Sequence, residues 1–177
     1  MITSIFGAAK DRTNALNLYE KITDASRDPV FYAVWGVADT LDGRFEVLTV
    51  HMFAVMHRLK GQGKKCEALS QSIVDVMFED FDNTLREMGV GDMSIGRKMR
   101  DLASNFYGRI AAYEKAVLGT DDAGDLMEAL ARNIYQSNDH GDARHIHAYL
   151  MQILERLEAT HMANLLGAEI AFTAPNQ

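Results

Sequence analysis

The sequence predicts an all-α, single-domain fold: an irregular helical bundle built around a central antiparallel αα-hairpin. Three observations lead there. Apolar residues recur at helical spacing in successive segments, and no stretch alternates as a strand would. Two prolines in 177 residues leave long helices uninterrupted. The stretch 78–109 sets a tight glycine-bearing turn between two such segments, the signature of a helical hairpin.

Composition narrows the function classes. Residues 1–177 are enough for one domain with a real core. A net charge of −7 argues against nonspecific nucleic-acid binding through a basic face. The single cysteine, Cys66, rules out an intrachain disulfide and a cysteine-rich metal site, and it fits a reducing compartment. MITSIFGAAKDR lacks the basic start and long apolar run of a signal peptide. The most apolar run, VLTVHMFAVM, is short for a membrane span and interrupted by His51. The expectation is a soluble, cytoplasmic protein.

Along the chain, 13–26 reads as an amphipathic helix with Ala15, Leu16, Tyr19, Ile22 and Ala25 inward. Asp28 followed by Pro29 starts a short helix, PVFYAVW, that ends at Gly36. Its Phe31, Tyr32 and Trp35 are either core or an aromatic docking surface. ADTLDGRF then caps a helix reaching about Lys60, with Phe45, Leu48, Met52, Val55, Met56 and Leu59 inward, and GQGK closes it. After the hairpin, TDDAGD starts a helix bearing Leu126, Leu130 and Ile134. SNDHGD is a loop. Residues 143–158 place Ile146, Leu150, Ile153 and Leu157 on one face. ATHMANLLG forms a last short helix, followed by a tail whose Ile170 and Phe172 dock on the body.

In the hairpin, Gly89 ends the first helix at the position where a left-handed residue is favoured, and Val90 and Gly91 make the corner. Asp92 or Ser94 is expected to cap the return helix. At about 100° per residue, Leu69, Ile73, Val76, Met77, Phe81, Leu85 and Met88 form one stripe. Ile95, Met99, Leu102, Ala103, Phe106, Ile110, Tyr113 and Val117 form the other, with Arg109 on its flank. Asp82 and Arg86 make an i,i+4 pair on the solvent side. Asp80 falls within the first stripe, so it is expected to be buried and paired, with Arg109 or Arg44 as its mate.

The runs FEDFDNTLREMGVGDMSIGRKMRDLASNFYGRIAAYEKAV and SRDPVFYAVWGVADTLDGRFEVLTVHMFAVMHRL resemble the ubiquinol–cytochrome c chaperone family. That family includes mitochondrial assembly factors for respiratory complex III and shorter alphaproteobacterial proteins. The resemblance spans about residues 17–118, and LREMGVGD followed by FYGR is its specific part. Two departures stand out: Ala38 occupies a position where the family tends to proline, and the long N-terminal extension of mitochondrial members is missing. The resemblance implies a non-enzymatic chaperone without cofactor, whose client is apocytochrome b or its nascent chain. A ribosome or a small second assembly subunit are further implied partners, with peripheral association at the inner membrane. Candidate partner contacts within the matched stretch are Phe31, Tyr32, Trp35, Asp39, Arg44, Arg86, Glu87, Asp92, Tyr107 and Arg109. Asp80, Gly89 and Gly91 are read as structural.

No catalytic constellation emerges from the residues themselves. Glu158 and His161 have Glu-x-x-His spacing, which in a helical bundle raises the alternative of a carboxylate-based metalloenzyme, but a second copy is absent. On a helix, His145 and His147 point about 200° apart, and with His140 they read as surface residues. Met52, Met56, Met77, Met88 and Met99 lie on or near inward faces, as core fillers or as the lining of an adaptable groove.

Overall fold

The computed structural model describes residues 2–119, 126–136 and 143–172, with side chains from Asp11 onward. TDDAGD, SNDHGD with its His140, and residues 173–177 lie outside the described residues. Within them the chain is helical throughout: α1 (Ile2–Ser26), α2 (Pro29–Ala33), α3 (Leu41–Leu59), α4 (Lys64–Glu87), α5 (Asp92–Leu118), α6 (Leu126–Leu130), α7 (Arg144–Ala159) and α8 (Met162–Leu166). α6 runs on into a π-helical turn, Ala131–Tyr135.

Most boundaries follow the local chemistry. The Asp28 carboxylate accepts from the Val30 N–H at 2.9 Å, with Pro29 in the first turn of α2. Thr40 Oγ1 accepts from the Gly43 N–H at 3.1 Å and caps α3. Gly43 itself packs so tightly that a Cβ there would sit 1.9 Å from the Ala38 carbonyl oxygen. Gly89, at φ +76°, reverses the chain after α4, where a side chain would be strained. Three details depart from expectation. α1 begins at Ile2 rather than near residue 13, because nothing before Thr13 breaks a helix strongly. α2 stops at Ala33, before Gly36. Neither Asp92 nor Ser94 caps α5: Gly91 holds the cap position with no side-chain bond, and Asp92 instead meets the Arg86 guanidinium at 2.8 Å.

The centre of the molecule is α3, not the α4–α5 hairpin. α3 packs against α1, α4, α5, α7 and the π-helical turn. Every residue from Phe45 to Val55 is buried, so the middle three turns of this helix have no solvent face, while its first turn, with Leu41 and Arg44, is exposed. A helix surrounded in that way must be apolar on all sides, which explains the run VLTVHMFAV. α4 and α5 lie side by side on its flank as outer helices, and their turn projects beyond the core. Ile73, Met77, Phe106 and Tyr113 are fully buried, whereas Phe81, Leu85, Met99 and Leu102 are half-buried and Met88 is exposed.

Phe31 and Trp35 belong to the core. Phe31 meets Trp35, His51 and Tyr149 edge to face at 5.2–5.7 Å. The His145 ring stacks on the outer side of Trp35 at 5.5 Å. The exposed aromatic docking surface is therefore corrected to packing, because α7 closes over these rings; of the three, Tyr32 alone reaches a concave surface. Leu16, expected inward, is exposed, and Leu18 takes its place in the core.

Candidate functional site

The spread between the α4–α5 hairpin and the α1–α3 side opens a cleft of about 470 Å³. Phe45, Leu48, Phe81, Leu85 and Leu102 supply its apolar lining. Two strongly exposed apolar side chains border it, Leu41 (61% exposed) and Met88 (56%). Charged residues ring the opening: Arg27, Arg44 and Lys98 against Asp42, Asp80 and Asp101. An apolar trough with both signs of charge at its edge suits an amphipathic segment and fixes its orientation.

Each rim residue is held by its own element. Arg44, in the first turns of α3, donates to the Asp39 carboxylate at 2.7 Å and lies over the Tyr32 ring at 5.4 Å. The Tyr32 hydroxyl donates to the Ser26 carbonyl at 2.7 Å, which ties α2 to the end of α1. Burial pushes the Tyr32 phenol up from its usual range, so it stays a neutral donor.

Asp80 lies on this rim and is exposed, contrary to the expected buried pair. Its mate is neither Arg44 nor Arg109 but the Tyr19 hydroxyl, which donates to it at 2.8 Å. The helical wheel puts Asp80 on the apolar stripe correctly, but that stretch of the stripe borders the open cleft. Asp80→Ala is accordingly expected to cost about 1–1.5 kcal/mol, the worth of one partly exposed hydrogen bond to a carboxylate, and not the roughly 3–5 kcal/mol of a broken buried ion pair. A thermal melt displaced by more than a few degrees from the parent would contradict this placement.

The other candidate contacts scatter. Arg86 bridges Asp82 at 2.6 Å and Asp92 at 2.8 Å across the hairpin turn, with exposed Glu87 beside it. Tyr107 lines a separate groove of about 480 Å³ with Phe53, Met56, Ile110 and Glu114. Arg109 points into the body, where its Nε donates to the buried Glu46 carboxylate at 2.5–2.7 Å. Burial raises the Glu46 carboxyl above its ordinary range, and the guanidinium opposes that shift. This pair has a sequence cue: Glu46 is the one acidic residue inside an otherwise apolar run. Of the methionines, Met52 and Met77 are core and only Met88 lines the cleft, so leucine and phenylalanine build the trough.

Glu158 and His161 do not converge on a common point. Glu158 is exposed and 3.5 Å from Arg58, while the His161 ring accepts from the Ala163 N–H and caps α8. Among the described residues no three His, Cys, Asp or Glu side chains are grouped as metal ligands. Nor is any described helix long and apolar enough to cross a membrane.

Comparison with known proteins adds the biological frame. Residues 33–172 match the family profile described as ubiquinol-cytochrome C chaperone. The mouse (Mus musculus) ubiquinol-cytochrome c reductase complex assembly factor 1 is 25% identical over 164 residues, covering 93% of this chain and 54% of its own length. The Xenopus laevis protein of that description is 26% identical over 125 residues, 71% of this chain and 62% of its own. The chain thus spans little more than half the length of these relatives. The crystal structure of the Cbp3 homolog from Brucella abortus is 36% identical and superposes with a TM-score of 0.84, covering 100% of this chain and 99% of that one.

Proposed function

This chain belongs to the ubiquinol–cytochrome c chaperone family, and from that premise we propose that it is a non-catalytic assembly factor for ubiquinol–cytochrome c reductase, holding newly made cytochrome b. The observation that carries the client reading is the cleft: an apolar trough bordered by exposed Leu41 and Met88 and rimmed with charges of both signs. A nascent membrane protein presents apolar helices before their neighbours exist, and these aggregate unless covered. A trough along α3, α4 and α5 accommodates one face of such a helix, and Arg44 and Asp80 address its polar residues. Such a client places the protein at the cytoplasmic face of the inner membrane, close to the emerging chain.

Charging the trough tests this. Leu41→Asp with Met88→Asp should cut recovery of cytochrome b with the tagged protein by at least about tenfold, because a carboxylate at each lip of the trough would have to be desolvated against the apolar face of the client. Melting should stay near the parent value because both side chains are already exposed. Equal recovery by the folded double variant would reject the cleft as the client site. The same purification reports whether ribosomal proteins or a small second subunit accompany the client.

A further inference from the structure

α5 carries a second surface, on the side turned away from the core. At about 100° per residue, Met93, Arg97, Arg100, Tyr107, Lys115 and Leu118 fall on one outward stripe, roughly 38 Å long at 1.5 Å per residue. All six are exposed, and Met93 is 96% exposed. Met93, Tyr107 and Leu118 are three of the eight large apolar side chains exposed among the described residues. No acidic residue of α5 lies within the stripe. Asp101, at one edge, lines the cleft, and Glu114, at the other, is held by His57 and Lys60 at 2.8 Å.

This distribution is at odds with the protein's net charge of −7. Of the acids on the outward face of neighbouring α4, Glu79 is paired with Arg12 and Asp82 with Arg86, each at 2.6 Å, while Asp75 accepts from Gln71 and keeps its charge. The α5 stripe thus carries the cations Arg97 and Arg100 beside large apolar groups, while Lys115 at its far end has an interaction of its own.

We infer that the outward face of α5 docks on an anionic phospholipid surface. A helix lying in the interface plane needs cations at headgroup level and apolar side chains that enter the acyl boundary, and this stripe offers both along its length. Single-stranded nucleic acid would use the cations but leave Met93 and Leu118 in water. The inference rests on the reading above only in placing the protein near a membrane, since purified protein and lipid report on it alone.

Vesicles of phosphatidylcholine, with and without about one third phosphatidylglycerol, provide the probe. The full chain should bind the anionic vesicles and not the neutral ones, and binding should weaken as salt is raised. Each cation near the surface contributes roughly fivefold, so Arg97→Gln with Arg100→Gln should weaken partitioning roughly twentyfold or more. Met93→Asp with Leu118→Asp should also weaken it, at an unchanged melting temperature. Equal binding to neutral and anionic vesicles, no binding to either, or parent-like binding by both double variants would overturn the inference. So would arginine-dependent binding of a single-stranded RNA without vesicle binding. Lost vesicle binding with intact cytochrome b capture would reject the lipid surface alone, and the reverse pattern would reject the client reading alone.

Discussion

Arg109→Ala should destabilise the protein by about 3 kcal/mol at neutral pH. Removing one partner of a buried ion pair typically costs about 3–5 kcal/mol, because the remaining charge is left uncompensated. The lower end applies here, since the Arg109 side chain is 21% exposed and water reaches part of the site. Glu46 is the buried member, at 5% exposure, and Arg109 also covers the Phe45 ring at 5.7 Å. The pH dependence identifies the cause. Burial already raises the Glu46 carboxyl, and without the guanidinium it rises further. In acid the folded variant therefore takes up a proton that the folded parent does not, so the gap between their stabilities narrows as pH falls from neutral. Adding Glu46→Gln to Arg109→Ala should restore most of the loss, because a neutral amide is cheaper to leave in that position. Denaturant melts of the three proteins at neutral and mildly acidic pH decide the matter. A gap that does not change with pH would show that lost packing, rather than an unpaired carboxylate, is the cost.

What the sequence reveals here divides along a physical line. Features fixed within one helical turn were legible: the Asp28–Pro29 start, the Gly89 stop, the Asp82–Arg86 pair, the stripes of α4, α5 and α7. Rank among helices is not legible in that way. A helical wheel finds a stripe, and the middle of α3, Phe45 to Val55, is buried all round, so its importance appears as a missing polar face rather than as a pattern. Position along the axis is equally invisible to a wheel, which is why Asp80 looked buried although its part of α4 borders the cleft. Contacts distant in sequence were beyond reach: Arg109 meets Glu46 63 residues away, and Tyr19 meets Asp80 across 61. Trp35 illustrates the middle ground. Its aromatic cluster was visible, but its covering by α7 was not.

Acidification from pH 6.5 to about 4 should remove about 3 kcal/mol of stability through His51 alone. This imidazole sits inside α3, completely buried among the Phe31, Tyr149 and Phe172 rings. Its Nδ1 lies 2.9 Å from the Val47 carbonyl, which can only accept, so Nδ1 carries the proton. Nε2 is then an acceptor, and the Tyr149 hydroxyl donates to it at 2.8 Å. Protonating Nε2 would place a charge in an apolar site and force the Tyr149 hydroxyl to rotate from donor to acceptor, and burial brings the imidazole down from 6.5 to about 4. Above pH 6.5 neither the folded nor the unfolded chain protonates this group. Below it the unfolded chain binds the proton and the folded chain does not, so stability falls until the folded value is reached. A difference of about 2.5 pH units at 1.36 kcal/mol each gives the figure of about 3 kcal/mol. Carboxylates titrate in part of the same window, so the diagnostic is a difference between proteins. His51→Gln keeps a group able to bond Tyr149 and stays neutral, and its stability should decline less steeply over this range whatever its stability at neutral pH. Parallel slopes for parent and variant would place His51 outside the acid response and contradict its burial as a neutral donor–acceptor between Val47 and Tyr149.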